Sequence, residues 1–374
     1  MNKKRRITIL AIALLTLYSA PAKAQVTAID TIAADDTIVE PDTATFVDGR
    51  YRNRVCPEAK TRQPKSGILI IGSGPDIRVV STFTGNPEGG TAYTDAVNNY
   101  RQRLGDNVRI YSMILPIASA YYTPDGALQY TRDQKATIDG MYGRMPGVTG
   151  VDAFTALAWH VREPIYLRTD HHWAPLGAYY AAEAFAKAAG VPFRDLSNYD
   201  KKTVHNFLGT MYTVYTKDAA VGRAPEEFEY YVPRDVEYHT TAITYSLGKN
   251  RAVTGQDGPK EVNFFREYKD GSHAAYCTFM GGDSNTTKVE TSTKNGRRLL
   301  IIKDSYGNAL PGYLFYSFEE IHVIDFRYFP GNVVNYINNN GITDLLFAHC
   351  ISLAYTAKTG QGIQRMIKDL RFKI

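Results

Sequence analysis

The chain has 374 residues, of which 44% are hydrophobic and 22% are charged. This composition excludes a disordered or collagen-like polymer and supplies enough apolar residues for a buried core. The formal net charge of +5 comes from five basic residues within the first 24, and the remainder carries equal numbers of acidic and basic side chains. A neutral remainder without a basic run argues against nucleic acid as a partner.

The first 24 residues have the three parts of a secretory signal peptide. Basic residues 3–6 precede an apolar stretch at residues 7–18, and Ala22-Lys23-Ala24 has the small-x-small pattern of a cleavage site. The apolar stretch is shorter than the ~20 residues that a spanning helix needs, which favours a cleaved signal over a membrane anchor. We therefore predict a mature protein that begins at Gln25, has no membrane span and is periplasmic or secreted.

Residues 25–50 contain six acidic residues and one basic residue, which predicts an acidic flexible linker. Residues 51–374 then carry the patterns of an α/β domain. Short apolar runs predict strands, and apolar stretches with helix-type ends predict helices. The predicted strands lie at residues 68–71, 108–115 and 165–167, and the predicted helices at residues 93–104 and 175–190.

The sequence pattern changes between residues 197 and 298, where short stretches rich in Tyr, Thr, Val and Phe alternate with Gly, Asp and Lys. This pattern predicts an antiparallel β-rich insertion. Strands and helices alternate after it, which indicates a parallel sheet with helical crossovers. The predicted order is a strand at 299–302, a helix at 306–318, a strand at 321–326, a helix at 333–340 and a strand at 345–348.

Three cysteines, Cys56, Cys277 and Cys350, are too few and too scattered for a disulfide framework or a zinc knuckle. One pair could bridge in an oxidising compartment, or all three could be small buried hydrophobic residues.

Two polar segments follow predicted strands, at the edge where α/β sheets bind their ligands. One runs from Arg168 to Trp173 and the other from Lys303 to Asn308. Ser305 is expected at a strand-to-helix turn, where its backbone N–H and the helix N-terminus face a developing oxyanion. A serine hydroxyl needs a base to take its proton, and the first segment supplies Asp170 and His172.

Other interpretations of these residues remain open. Asp304 and Ser305 could simply cap the following helix. Asp170, His171 and His172 could bind zinc, although adjacent histidines tend to point apart and no third histidine completes a known zinc pattern. The block Gly282-Asp283-Ser284-Asn285 resembles an esterase nucleophile motif, but it lies in the β-rich region and has no helix after it. We interpret that block as a turn and prefer Ser305.

Several segments together resemble the DHHW family of exported bacterial proteins, from about residue 65 onward. They are Asp170-His171-His172-Trp173 followed by Gly177-Ala178-Tyr179-Tyr180, Phe207-Leu208-Gly209-Thr210, Phe279-Met280-Gly281-Gly282, residues 302–308 and residues 324–328. That family is similar to the periplasmic alginate O-acetylation proteins, whose SGNH-hydrolase-like domains use a Ser, a His and an Asp from an Asp-x-His motif.

The resemblance implies an SGNH-hydrolase-like α/β fold, flavodoxin-like with three layers and a circularly permuted order of motifs. It implies that Ser305 is the nucleophile, His172 the base and Asp170 the residue that orients the base. The motif that contains this serine is Lys303-Asp304-Ser305 here, where SGNH hydrolases have Gly-Asp-Ser. The implied activity is O-acetyl transfer or acetyl-ester hydrolysis on an extracellular polysaccharide through an acyl-serine intermediate. We expect no cofactor, and an acetyl donor that reaches the protein through a membrane acetyl-transfer protein.

Five further residues near these segments are predicted to bind the substrate: Tyr306, Asn308, Arg327, Tyr328 and Trp173. Most fall at the carboxyl edge of a predicted strand or in the turn after it. The alternative for Arg327 is a structural ion pair with Asp325 or Glu320. For the whole protein the main alternative is a non-catalytic glycan-binding or scaffold protein of an export complex, and a metallohydrolase comes third.

Overall fold

The structure is a computed structural model that describes residues 46–47, 50–51, 55–249 and 252–368. The predicted signal peptide and residues 25–45 of the predicted linker lie outside these ranges. In the part of the chain that the structure describes, no helix is long and apolar enough to cross a membrane.

The described residues form short and long strands together with nine α-helices. The strands are β1 (Phe46–Val47), β2 (Arg50–Tyr51), β3 (Thr61–Lys65), β4 (Ile68–Ile71), β5 (Arg78–Ser81), β6 (Arg109–Leu115), β7 (Thr149–Gly150), β8 (Tyr199–Phe207), β9 (Glu226–Pro233), β10 (Tyr238–Leu247), β11 (Val253–Glu261), β12 (Asn285–Thr291), β13 (Arg298–Lys303), β14 (Glu320–Asp325) and β15 (Asp344–Cys350). The helices are α1 (Thr91–Leu104), α2 (Ser119–Tyr122), α3 (Gln134–Tyr142), α4 (Ala153–Ala158), α5 (Pro175–Ala189), α6 (Ala219–Gly222), α7 (Val333–Asn339), α8 (Ile351–Ala354) and α9 (Ala357–Lys368).

The central sheet has eight strands in the order β11-β10-β12-β14-β13-β15-β6-β7. Strands β14, β13, β15, β6 and β7 are parallel, and β12, β10 and β11 extend the sheet in antiparallel pairing. Strand β15 is buried along its whole length. Parallel strands covered on both faces are expected to be apolar runs, and residues 345–348 of β15 are such a run between Asp344 and His349.

Helices cover both faces of this sheet. On one face the ring of Tyr100 in α1 contacts Phe347 of β15, with ring centroids 5.1 Å apart. On the other face the ring of Phe185 in α5 contacts Tyr111 of β6 at 5.3 Å. Phe347 pairs in register with Ser112, the neighbour of Tyr111, so the two aromatic contacts lie on opposite sides of the sheet. The fold is a mixed α/β fold with a large central sheet.

Most of the predicted α/β pattern is confirmed. Strands β13, β14 and β15 and helices α1, α5 and α7 lie where the sequence predicts them, and the three strands are parallel. The region between residues 197 and 298 contains antiparallel strands, as expected, and three of these join the central sheet. That this region is an insertion and that the order of motifs is permuted remain predictions.

The predicted strand at residues 165–167 is wrong. Tyr166 makes only an isolated antiparallel bridge with Trp173, because the carbonyl of Ile165 accepts the N–H of Ala174 and the chain folds back on itself. Asp170 therefore lies in a loop that precedes α5, rather than at the end of a sheet strand.

The predicted helix at residues 306–318 is also wrong. This segment forms two short 3₁₀ turns, Ser305–Ala309 and Pro311–Leu314. Pro311 has no N–H to donate, and Gly307 and Gly312 favour the helix poorly. Ser305 is therefore not followed by a long helix. The stabilisation of an oxyanion that was expected from the N-terminus of that helix is absent.

Candidate active site

Ser305 follows the last residues of β13 and begins a 3₁₀ turn. Asp304 holds this turn, since its Oδ1 accepts the N–H of Tyr306 at 2.9 Å and its Oδ2 accepts the N–H of Cys350 at 2.8 Å. The carboxylate thus links the ends of β13 and β15. Burial raises the pKa of Asp304 to about 6, although these two N–H groups partly oppose the shift. Asp304 is a capping residue, and capping leaves the hydroxyl of Ser305 available for another role.

The loop before α5 brings His172 to Ser305. The ring Nε2 of His172 lies 2.8 Å from Ser305 Oγ, and the ring Nδ1 lies 2.6 Å from Asp170 Oδ1. Asp170 Oδ1 also accepts the backbone N–H of His172 at 3.0 Å. The ring stacks on Tyr276 with centroids 3.9 Å apart. An Nδ1–H that donates to the carboxylate leaves Nε2 as the acceptor for the serine hydroxyl.

The other carboxylate oxygen of Asp170 is held by Thr210. Both the N–H and the hydroxyl of Thr210 donate to Asp170 Oδ2, at 2.7 and 2.9 Å. Burial disfavours the charged carboxylate, but the charge and hydrogen bond of His172, together with these donors, lower the pKa of Asp170 well below its usual range. Asp170 is therefore an anion that orients the histidine ring.

Glu226 of β9 holds the backbone next to Asp170. Its carboxylate accepts the N–H of Arg168 at 2.7 Å and the N–H of Thr169 at 2.6 Å. The hydroxyl of Thr169 donates to the same carboxylate and accepts the N–H of Gly209. Burial raises the pKa of Glu226. A buried carboxylate from the β-rich region thus joins the Asp170 loop to the segment that carries Thr210.

His171 does not point away from His172, contrary to the expectation from sequence. The two rings lie side by side with centroids 3.7 Å apart, and His171 Nδ1 lies 2.6 Å from the hydroxyl of Thr210. Because that hydroxyl donates to Asp170, it accepts the Nδ1–H of His171. Burial and the neighbouring His172 lower the pKa of His171 to about 4. His171 is therefore neutral near pH 7, and its Nδ1–H holds the hydroxyl of Thr210 in place.

The same three residues are a possible metal-binding set. One ligand atom from each of Asp170, His171 and His172 lies within 4.8 Å of the others. An Asp and two His suit zinc. However, both ring nitrogens of His172 and both carboxylate oxygens of Asp170 already take part in hydrogen bonds. The arrangement therefore fits a proton relay to Ser305 better than a metal centre.

Ser305 lines a cavity of about 420 Å³. Its walls come from β5 and residue 82, residues 117–118, the Asp170 loop, Tyr215, Tyr306, Arg327 and residues 350–353. Tyr215 is 43% exposed and forms part of the wall. The cavity is large enough to hold an acyl group and part of a sugar, within the roughly 300–1,000 Å³ common for ligand sites.

Of the five predicted substrate-binding residues, Tyr306 and Arg327 line this cavity. Trp173 does not line it, because its ring is completely buried and its Nε1–H donates to the carbonyl of Tyr306 at 3.0 Å. Asn308 is 2% exposed and donates to Asp283, so it is also a supporting residue. Tyr328 lies in an adjoining groove that shares Arg327 with the cavity.

Arg327 belongs to a network of charges beside Ser305. It donates to Asp325 at 2.6 Å and to Asp283 at 2.8 Å, and Lys303 lies within 3.3 Å of both carboxylates. Burial opposes ionisation of Asp283, but Lys303, Arg327 and the hydrogen bond from Asn308 lower its pKa to about 2. Arg327 therefore forms the ion pair with Asp325 that the alternative describes and also lines the cavity, whereas Glu320 pairs with other cations.

Sequence reasoning missed four residues that support the site. Thr210 lies in one of the segments that resemble the DHHW family, so the sequence contained a signal for it. Asp283 lies in the block Gly282-Asp283-Ser284-Asn285, for which the sequence predicts a turn. Ser284 of that block is exposed and lies in the bend before β12. Glu226 and Tyr276 carry no local signal, because their contacts depend only on the tertiary fold.

Residues 35–324 match the sequence model of a family described as DHHW protein. The crystal structure of a DHHW family protein from Eubacterium siraeum is 36% identical, with a TM-score of 0.74, and the match covers 83% of this chain and 98% of that one. None of the curated proteins matches the chain.

Two more distant structures are also similar. Bacillus cereus PatB1, solved with a sulfonyl adduct, is 18% identical with a TM-score of 0.58, over 79% of this chain and 96% of that one. This similarity shows a shared fold. The O-acetyltransferase domain of Pseudomonas putida AlgJ is 13% identical over 82% of this chain and 99% of that one, with a TM-score of 0.39.

Proposed function

The chain belongs to the DHHW family, and on that premise we propose that it is an exported, serine-dependent acyl-transfer enzyme. The proposed reaction is O-acetyl transfer to an extracellular polysaccharide, or hydrolysis of its acetyl esters, through an acyl-serine intermediate. One observation carries the proposal: Asp170, His172 and Ser305 are connected by contacts of 2.6 and 2.8 Å, and Ser305 opens onto a cavity of about 420 Å³. A nucleophile, a base and a group that orients the base form the catalytic arrangement of serine acyl-transfer enzymes.

In the first half of the reaction, Ser305 takes the acyl group. Its Oγ forms a bond to the acyl carbon of the donor while its proton moves to His172 Nε2. The tetrahedral intermediate then collapses, and the bond from the acyl carbon to the donor oxygen breaks. The donor oxygen leaves with the proton from Nε2. Asp170 stays ionised throughout and stabilises the imidazolium that forms.

In the second half, the acceptor removes the acyl group from Ser305. A sugar hydroxyl gives its proton to His172 Nε2 and bonds to the acyl carbon, and Ser305 Oγ leaves and recovers the proton. Water in place of the sugar hydroxyl gives hydrolysis, so the same relay serves a transferase or an esterase. Whether the protein transfers the acyl group or hydrolyses the ester depends on which acceptor, a sugar hydroxyl or water, occupies the cavity.

Arg327 supports the proposal through its charge. It lines the cavity with Ser305 and is held by two carboxylates, Asp325 and Asp283. A cation held in a fixed position needs no reorganisation when negative charge develops on the carbonyl oxygen of the acyl group. Tyr215 offers an exposed ring at the cavity wall on which a sugar can stack.

The proposed location is the periplasm or the cell exterior, after cleavage near Ala24. The acetyl group would be supplied by a membrane acetyl-transfer protein. In the proposed scheme, the acceptor is a polysaccharide outside the cytoplasm and no cofactor takes part.

Mass spectrometry of an acyl adduct tests the proposal. The purified mature protein is exposed briefly to 4-nitrophenyl acetate and digested, and an acetyl group is expected on the peptide that contains Ser305. Ser284→Ala should retain the adduct, whereas Ser305→Ala and His172→Ala should lose it. Absence of an adduct on Ser305, with release of nitrophenol no faster than in the Ser305→Ala variant, would favour the non-catalytic glycan-binding function instead.

A further inference from the structure

The ring of His171 lies against the ring of His172 and faces the same way. The ring centroids are 3.7 Å apart, and the Nδ1 atoms of His171 and His172 lie 3.7 and 2.6 Å from the same oxygen, Asp170 Oδ1. Both rings therefore turn their Nδ1 edges towards Asp170 and their Nε2 edges away from it. His172 Nε2 contacts Ser305, and His171 lines the cavity that contains Ser305. The Nε2 edge of His171 is thus placed beside the reacting hydroxyl.

The hydrogen bonds behind His171 fix its tautomer. The hydroxyl of Thr210 donates to Asp170 at 2.9 Å, so its oxygen accepts the Nδ1–H of His171 at 2.6 Å. Burial and the neighbouring His172 lower the pKa of His171 to about 4, so the ring carries a single proton near pH 7. Nε2 then has a free lone pair, and no donor among the described residues forms a hydrogen bond with it. His171 therefore offers a hydrogen-bond acceptor to a molecule in the cavity.

The two Nε2 edges are spaced for two hydroxyl groups of one molecule. In the second half of the proposed reaction, the attacking hydroxyl gives its proton to His172 Nε2. His171 presents its own lone pair about one ring separation away, at 3.7 Å. Hydroxyl groups on adjacent carbons have a comparable spacing, whereas hydroxyl groups on opposite sides of a six-membered ring lie farther apart. Tyr215, whose ring centre lies 6.4 Å from that of His171, provides an apolar surface for the carbon ring that carries them.

We propose that His171 is a specificity-determining residue, whose Nε2 accepts a hydrogen bond from a second hydroxyl of the alcohol that receives the acyl group. This second hydroxyl lies on the carbon next to the attacking one, so the preferred alcohol is a vicinal diol. The second hydroxyl keeps its proton, and only the attacking hydroxyl loses one, to His172. The inference rests on the proposed function, because it specifies the alcohol that removes the acyl group from Ser305.

Isomeric cyclohexanediols test this preference. The purified mature protein is mixed with 4-nitrophenyl acetate and with cis-1,2-, trans-1,2- or trans-1,4-cyclohexanediol, and the monoacetates are quantified by gas chromatography against a Ser305→Ala blank. The three diols have the same composition and differ in the placement of their hydroxyl groups. At least one 1,2-diol should be acetylated with a kcat/KM about five- to tenfold above that of the 1,4-diol, as expected for one additional hydrogen bond.

Variants of residue 171 assign the preference to Nε2. The amide NH₂ of His171→Asn takes approximately the place of Nδ1–H and can still donate to Thr210, but this variant has no group at the position of Nε2. The ratio between the 1,2-diol and the 1,4-diol should therefore fall close to one. His171→Gln, whose amide oxygen can reach the position of Nε2, should retain part of the preference.

Gly209→Ala is the matched control, because its Cβ displaces Asp170 and leaves Nε2 of His171 in place. It should slow the acetylation of both diols and keep their ratio. Both diols react with the same acyl-enzyme, so the ratio does not depend on how fast Ser305 is acetylated. An unchanged ratio in His171→Asn would overturn the inference. Equal acetylation of all three diols by the unaltered protein would also overturn it, and that measurement requires no variant to fold.

The two proposals fail in distinguishable ways. An acetyl adduct on Ser305 that water removes, while no diol is acetylated, rejects the role of His171 and leaves the acyl-serine chemistry in place. Absence of the adduct rejects the proposed function, and the inference about His171 falls with it.

Discussion

Gly209 lies directly against the side chain of Asp170. A Cβ atom on residue 209 would be 2.3 Å from the Cβ of Asp170 and 2.4 Å from its Oδ2. Non-bonded heavy atoms cannot approach so closely, so a larger residue would displace the carboxylate. The absence of a side chain at residue 209 also lets the N–H of Thr210 reach Asp170 at 2.7 Å. This contact connects the segment that carries Gly209 and Thr210 to the orientation of His172.

Gly209→Ala should therefore lower the kcat/KM for an activated acetyl ester by about a hundredfold, since a shift of the order of 1 Å at a catalytic group has an effect of that size. The free energy of unfolding should also decrease, by about 1–3 kcal/mol for overpacking. Gly126→Ala is the matched control, because nothing lies within 4 Å of the Cβ it would add. Equal kinetics in the two variants would contradict a role for this contact.

Removal of either member of the nucleophile–base pair should abolish nearly all activity. Ser305→Ala and His172→Ala should each reduce kcat to a similar residual level, and the double variant should be scarcely worse, because the two side chains act as a unit. Ser305→Ala should leave the free energy of unfolding almost unchanged, whereas His172→Ala also loses its stacking on Tyr276. Steady-state kinetics of the three variants is the measurement. Multiplicative losses in the double variant would show that the two residues act independently.

Asp283→Asn tests the charge network beside Ser305. The substitution keeps the shape of the side chain but removes the charge that Lys303 and Arg327 share, and Lys303 is buried. We expect a loss of about 2–4 kcal/mol in the free energy of unfolding and a fall in activity as Arg327 becomes less well held. Denaturant unfolding and ester kinetics measure both effects. Asp257→Asn, in an exposed pair with Lys260, should be nearly silent, and an equally silent Asp283→Asn would refute the prediction.

Buried histidines should make the protein less stable in mild acid. Burial lowers the pKa of His322 to about 4 and that of His349 to about 3, from an ordinary value of 6.5. Between about pH 6.5 and 4 the unfolded chain therefore binds protons that the folded chain does not, and stability is lost as the pH falls. Each such histidine contributes about 1.4 kcal/mol per pH unit to this slope.

Denaturant unfolding at several pH values between 6.5 and 4.5 measures the slope. His349→Leu should reduce it by about 1.4 kcal/mol per pH unit, because this variant removes one of the protons taken up on unfolding. His239→Gln, at an exposed position, is the control variant. Asp304 acts in the opposite direction, since its raised pKa of about 6 gives stability at low pH that is lost as the pH rises. The comparison between variants separates these contributions, and an unchanged slope in His349→Leu would disprove the assignment to this histidine.

Local patterns predicted most of the central elements. The apolar run at residues 299–302 and the Pro175-to-Gly190 helix pattern were sufficient, because a buried parallel strand and a capped helix have recognisable sequences. The same reasoning failed at residues 165–167, where three apolar residues form a loop with one bridge, and at residues 306–318, where Pro311 interrupts the helix. Short apolar runs do not reveal their hydrogen-bond partners, since these come from other parts of the chain.

The sequence by itself determined that the protein has an α/β domain, that Asp170 and His172 are two residues apart and that Ser305 follows a buried strand. These are local properties, set by residue type and neighbours along the chain. Only the tertiary structure decided that His172 Nε2 meets Ser305 Oγ across 133 residues of sequence and that Thr210 and Gly209 hold Asp170. It also decided that Asp283 accepts a hydrogen bond from Asn308, in the 3₁₀ turn that begins at Ser305. Such contacts depend on how many apolar side chains pack together at once, and no short stretch of sequence contains that information.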